Sequence, residues 1–260
     1  MKLPVAPNRE LGQHFLVDEN ILGVIGRLAE LDADDVVLEV GPGLGVLTEY
    51  LADRVALVHA VELDRGLQPH LAERLQGRAN VELVFGDALR LDLAALDPAP
   101  TKFVANLPYN VATPLIVESL DGLPSVVHWT VMVQREVADR LFAQPGTKAY
   151  GAVSAIVQLA TERTGFHPVS RTVFRPPPNV DSTLVAFRRS ALPENFREVK
   201  QVVEAAFAHR RKMLPNSLEL AGLAARQRAA DALEAIGREP RIRAEALEPH
   251  EFVALTAALR

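Results

Sequence analysis

The chain contains no cysteine. Disulfides, thiolate-ligated zinc and a cysteine nucleophile are therefore excluded. Long apolar runs are missing too, and no stretch reaches the ~20 residues that a membrane-spanning helix needs. The opening residues, MKLPVAPNRE, lack the apolar core of a secretory signal. The expectation is a cytoplasmic protein with no membrane partner. The chain has no internal repeat and no low-complexity tract. What is present is 260 residues, 48% hydrophobic and 23% charged, enough for one large domain or one plus a small appendage. The net charge of −5 is unevenly spread. Residues 31–100 carry 5 basic and 13 acidic side chains, whereas residues 186–260 carry 13 basic and 10 acidic. A basic tail suits a polyanionic partner, although uneven solvation of helix faces gives the same numbers.

The apolar runs and turns read as a β-α repeat. Val36–Val40 is a mostly apolar strand of the kind buried in parallel sheets. It runs into Gly41-Pro42-Gly43-Leu44-Gly45 and then a helix over 46–52. A glycine turn here lets a ligand approach the backbone, and the helix N-terminus adds partial positive charge. Nicotinamide cofactors, flavins and S-adenosylmethionine could all use such a loop. The spacing Gly-x-Gly-x-Gly departs from the dinucleotide Gly-x-Gly-x-x-Gly. Glu39, just before the loop, suits a cationic methionine end better than a pyrophosphate. A second strand over 55–61 leads to Glu62-Leu63-Asp64, with Glu62 placed to accept from ribose hydroxyls. A third, Val81–Phe85, leads to Gly86-Asp87-Ala88, where Asp87 can accept from an adenine amino group.

A fourth strand, around 103–105, delivers Asn106-Leu107-Pro108-Tyr109. Asn offers an acceptor and a donor, Pro stiffens the turn, and Tyr presents a flat face. Together they suit an exocyclic amino group on a planar heterocycle; the alternative is an ordinary strand-to-helix turn. Each strand end is weak alone, but the ordered set of four lies at the ligand edge of one repeat. Helices are expected over 19–31, 67–75, 114–120, from 134 onward, and over 151–161, with a strand over 126–133. Segments 162–170 and 182–188 read as a hairpin at the sheet edge. Between them, Phe174-Arg175-Pro176-Pro177-Pro178-Asn179-Val180-Asp181 reads as a stiff extended loop. Phe174 is either a second plate facing Tyr109 or a core residue. Residues 1–10 read as a loose arm, followed by an apolar segment around the Gln13-His14 pair. From Pro193 the composition turns helical. His209-Arg210-Arg211-Lys212 is either a solvated face or a phosphate contact.

In order, LGQHFL, LEVGPGLGVLT, VELD, GDAL, NLPY, the Gln134-Arg135-Glu136 helix, FRPPPNVDS and FAHRRKML run through nearly the whole chain. In these the sequence resembles the ribosomal RNA adenine dimethyltransferases, in particular their bacterial small-subunit, kasugamycin-resistance branch. The large-subunit, macrolide-resistance branch generally carries Ile where this chain has Leu107. The resemblance implies S-adenosyl-L-methionine-dependent N6,N6-dimethylation of two adjacent adenosines near the 3′ end of small-subunit rRNA, in ribosome biogenesis. It implies an α/β fold with a Rossmann-like seven-stranded methyltransferase sheet over 1–190. A small all-α RNA-binding domain over 191–260 would complete the plan of a monomer, with no metal. The implied cofactor set is Glu39, Gly41, Gly43, Glu62, Leu63, Asp87 and Ala88, with Asn106 at the methionine end and His14 and Leu16 bordering it. His14 stands where the family often has Asn. Asn106, Leu107, Pro108, Tyr109 and Phe174 form the implied catalytic set, and Arg210, Arg211 and Lys212 the RNA contact. Rival readings are a DNA adenine methyltransferase, for which about 70 residues after the catalytic part leave little room, a non-catalytic assembly or transcription factor on the same fold, and a nicotinamide-dependent reductase.

Overall fold

The computed structural model describes residues 3–8 and 11–260. The arm expected over 1–10 therefore lies partly outside the described residues. The chain divides into two compact units, residues 1–138 with 163–189, and residues 139–162 with 190–260.

The first unit opens with β1 (Phe15–Leu16) and α1 (Asn20–Ala29). Asp18 Oδ1 accepts from the Asn20 amide at 2.9 Å, and α1 buries Ile21, Leu22, Ile25 and Ala29 on one face. Next come β2 (Val36–Val40), α2 (Val46–Ala52), β3 (Leu57–Glu62), α3 (Gln68–Arg74) and β4 (Val81–Phe85). β5 (Lys102–Asn106), α4 (Ala112–Gly122) and β6 (His128–Gln134) complete the repeat. β7 (Thr161–Val169), β8 (Phe174–Arg175) and β9 (Ser182–Arg189) come late.

Seven strands form one sheet in the order β4-β3-β2-β5-β6-β9-β7. β2 to β6 are mutually parallel, and β9 runs antiparallel to β6. The order reverses between β2 and β5, so the crevice beyond their carboxyl ends is where an open α/β sheet receives its ligand. β7 is the outer edge and β9 its inner neighbour, matching the expected late hairpin. β6 starts two residues later than the sequence suggests. Arg189 gathers the carbonyls of Leu120, Leu123 and Val126 at 2.7–2.9 Å, which caps the end of α4 and takes Val126 out of the strand. The second sheet pairs β1 with β8, Phe15 opposite Arg175 and Leu16 opposite Phe174. Neither two-residue strand is legible in the sequence, because each has too few residues to show an alternating pattern.

The second unit holds the end of α5 (Arg135–Leu141), then α6 (Ala152–Ala160), α7 (Phe196–Ala208), α8 (Leu214–Leu220), α9 (Arg226–Ala235) and α10 (Pro249–Ala258). The expected boundary at 190 leaves out residues 139–162, which cluster with the helical tail. The Tyr150 hydroxyl donates to the Leu247 carbonyl at 2.9 Å, and the Gly146 amide to the Glu245 carbonyl at 2.8 Å. The Tyr150, Phe207 and Phe252 rings meet at 5.9 and 6.0 Å. Among the described residues no helix is long and apolar enough to cross a membrane.

Candidate active site

The site lies in the first unit, beyond the carboxyl ends of β2 to β5. Its floor is made by two turns that interlock. Gly41 has φ +79°, and a Cβ there would meet the Pro108 ring carbons at 3.2 Å. Gly43 has φ +58°, and a Cβ there would meet the Phe15 ring at 3.1 Å. Glycine at these two places satisfies the left-handed backbone and lets the turns of β2 and β5 and the segment after Leu11 touch.

Glu62, at the end of β3, is buried, and each carboxylate oxygen accepts one backbone amide. Oε2 takes Gly43 N at 3.1 Å and Oε1 takes Asp64 N at 2.8 Å. Burial pushes its carboxyl up, and these amide bonds oppose the shift. Leu63 beside it is 53% exposed, an apolar side chain on the cleft wall. Asp87 Oδ1 accepts from Leu89 N at 3.0 Å, which aims its carboxylate at the end of β4, with Ala88 in the same wall. Asn106, Leu107, Pro108 and Tyr109 line the same cleft, as do His14, Gly41 and Gly43. The Asn106 side chain makes no hydrogen bond among the described residues.

A small side cavity joins Glu39 and Leu16 to His14, Gly41, Gly43 and Asn106. Glu39 is 1% exposed, and its Oε2 has no partner among the described residues. Burial pushes its carboxyl from 4.5 up to about 8; Thr48 opposes the shift and the Glu62 charge adds to it. A buried carboxyl with an unmet oxygen suits the cationic end of a ligand.

Phe174 is a correction. It is fully buried in the apolar cluster with Leu16, Met132 and Leu184, and does not line the cleft. Its pairing opposite Leu16 draws it into the core. The ring that meets Tyr109 is His14, with centroids 5.7 Å apart. Arg210 also departs from expectation. Its Nη2 donates to the Lys148 and Tyr150 carbonyls at 2.8 and 2.6 Å, and it pairs with Glu245, so it ties segment 139–162 to the helical tail. Arg211 and Lys212 are exposed. The Leu214 amide donates to the Ile242 carbonyl at 2.8 Å, which brings Arg241 and Arg243 beside them.

Sequence reasoning missed these two arginines, since they are separated from the Arg-Arg-Lys run by two helices. It also missed a clasp at Gln13. Gln13 Nε2 donates to Asp64 Oδ2 at 2.8 Å, and its Oε1 accepts from Asn8 N at 2.7 Å. The polar Gln inside an apolar segment was the only signal.

The model of the family described as ribosomal RNA adenine dimethylase matches residues 6–250. A protein of Rubrobacter xylanophilus named ribosomal RNA small subunit methyltransferase A is 48% identical, over 96% of this chain and 94% of its own length. Among solved structures, a dimethyladenosine transferase from Plasmodium falciparum is similar with a TM-score of 0.78 and 26% identity, over 93% of this chain and 96% of that one. The 23S rRNA methyltransferase ErmE is similar with a TM-score of 0.67 and 30% identity, over 94% and 99%. Extended over almost its whole length in both sequence and fold, this likeness shows that the chain belongs to the ribosomal RNA adenine dimethylase family.

Proposed function

We propose that the protein is a cytoplasmic, monomeric S-adenosylmethionine-dependent methyltransferase that dimethylates N6 of two adjacent adenosines near the 3′ end of small-subunit rRNA. The observation that carries this is the single cleft uniting the glycine loop, Glu62, Asp87 and the Asn106–Tyr109 turn. The residues fit the cofactor. Glu39 supplies a buried carboxyl with an unmet oxygen for a cationic methionine end. Glu62 keeps lone pairs beyond its two amide bonds for ribose hydroxyls. Asp87, between Ala88 and the exposed Leu63, suits a purine edge and face.

S-adenosylmethionine, when bound, supplies a methyl group already activated on a sulfonium. The chain's residues then have to present an amine. The adenine leaves its stack to enter the pocket. Its exocyclic nitrogen is a poor nucleophile because its lone pair is delocalised into the ring. The Asn106 side-chain carbonyl and the backbone carbonyl of Leu107 accept the amino hydrogens and localise that lone pair. The Pro108 carbonyl is engaged in the turn, accepting from Val111 N at 3.1 Å. Tyr109 stacks on the base and holds it in line, so positioning contributes much of the rate. Burial pushes the Tyr109 phenol up, and its bond with the Ser182 hydroxyl opposes the shift. In the second unit, the exposed Arg211, Lys212, Arg241 and Arg243 suit the RNA phosphate backbone. Leu107, in place of the Ile general in the large-subunit branch, favours the small subunit.

The test is transfer of labelled methyl from S-adenosylmethionine to unmethylated small and large ribosomal subunits in parallel, followed by nucleoside analysis. Dimethyladenosine in the small subunit alone is expected. Label in the large subunit alone would overturn the substrate assignment, and no transfer to either would overturn the activity.

A further inference from the structure

The Tyr109 hydroxyl has a partner far along the chain. It lies 2.8 Å from Ser182 Oγ, 73 residues downstream. Ser182 is the first residue of β9, is 1% exposed, and sits opposite Gln134 at the end of β6. Because β9 runs antiparallel to β6, it begins at the sheet edge where the parallel strands end. This antiparallel strand thus delivers its first side chain to the candidate active site. The Tyr109 ring is also met by His14 at a 32° tilt, and His14 Nδ1 is 2.8 Å from the Pro176 carbonyl, to which it donates.

A ring used only for stacking needs no hydroxyl, since phenylalanine offers the same face. Here the hydroxyl is half-buried and bonded to a fully buried partner. A tyrosine ring anchored only through its backbone can still rotate about two side-chain torsions. A bond at the far end of the ring removes that freedom. We propose that Ser182 is a positioning residue, whose Oγ holds the Tyr109 hydroxyl and so fixes the plane on which the target adenine stacks. This rests on the reading of Tyr109 as the stacking plate. It gives the FRPPPNVDS segment a role through its last residue rather than through Phe174.

Ser182→Ala and Tyr109→Phe each delete the bond from one end and keep the ring. Each is expected to lower kcat for methyl transfer to small subunits about tenfold, the scale of one net hydrogen bond. KM for the subunit and Kd for S-adenosylmethionine are expected to stay unchanged. The double variant should be no slower than either single one, because the two changes remove one interaction. Wild-type kcat in either single variant, or a double variant showing the product of both losses, overturns the proposal. If Ser182→Ala does not fold, Tyr109→Phe alone decides by the same kcat criterion. A second readout needs neither RNA nor methyl donor. The serine hydroxyl can donate to the ionised phenol, so Ser182→Ala should raise the pKa of Tyr109, identified as the absorbance change that Tyr109→Phe removes. An unshifted titration overturns the contact. Inactivity of the unmodified protein would instead count against the methyltransferase reading, and the titration would still decide Ser182.

Discussion

At the scale of single residues, Glu39 departs furthest from ordinary behaviour. Its carboxyl is pushed from 4.5 to about 8 by burial. The folded protein therefore holds this proton more tightly than the unfolded chain does. By linkage, the contribution of Glu39 to stability is full below 4.5 and declines as pH rises through 8. Glu39→Gln keeps the shape and cannot ionise. In a thermal melt of the cofactor-free protein at pH 8.5, the variant is expected to melt higher by on the order of 5 °C. The same change should weaken S-adenosylmethionine binding, because the carboxyl can release its proton when a cationic end arrives and the amide cannot. An unchanged melting temperature together with unchanged affinity would mean that Glu39 merely fills the space beneath the loop. Glu62 differs from Glu39 in having both oxygens tied to backbone amides, which suits a carboxylate that stays in place while it accepts from a ligand.

Among elements, the segment over 11–16 closes the cleft on the side of the glycine loop. Phe15 leans on Gly43, β1 pairs with β8, and Gln13 ties the segment to Asp64. Gln13→Ala removes a bond worth about 1 kcal/mol. It is expected to speed hydrogen exchange over 11–16 and to raise Kd for S-adenosylmethionine about fivefold, with exchange in β2 and β5 unchanged. The strands that carry the site were legible because each is a short apolar run ending in a chemically distinctive turn. β2, β4 and α2 fall at Val36–Val40, Val81–Phe85 and Val46–Ala52, as the run lengths suggest. The pairing of β1 with β8 was not legible, since it joins residues about 160 positions apart through two residues each. The same pairing decides Phe174. Local sequence makes it the one aromatic of a proline-rich loop, whereas the long-range register turns it into the core. The Ser182–Tyr109 contact was hidden for the same reason: only the sheet order brings those residues together.

At the scale of the whole molecule, the proposed tasks fall to two compact units. The first holds every residue of the cleft, and the second holds two loops of exposed cations joined by the Leu214–Ile242 bond. Charge contacts of this kind act through counterion release, about 0.7–0.9 ions per phosphate neutralised. Arg211→Glu with Arg243→Glu is expected to weaken small-subunit binding and to flatten the dependence of log K on log salt by roughly 2. Cofactor affinity should not move. An unchanged slope would assign these loops to ordinary solvation. The proposed chemistry depends most on the turn after β5, and the most direct measurement compares Asn106→Ala with the unmodified protein. The quantities are the methyl-transfer rate into unmethylated small subunits at saturating cofactor, and the Kd for S-adenosylmethionine. A fall in rate of about 100-fold or more is expected, as when a buried polar partner of the reacting group is removed, with Kd changed by much less. A rate within about twofold of the unmodified protein, cofactor bound, would contradict the role given to Asn106 and with it the proposed activation of the adenine amine.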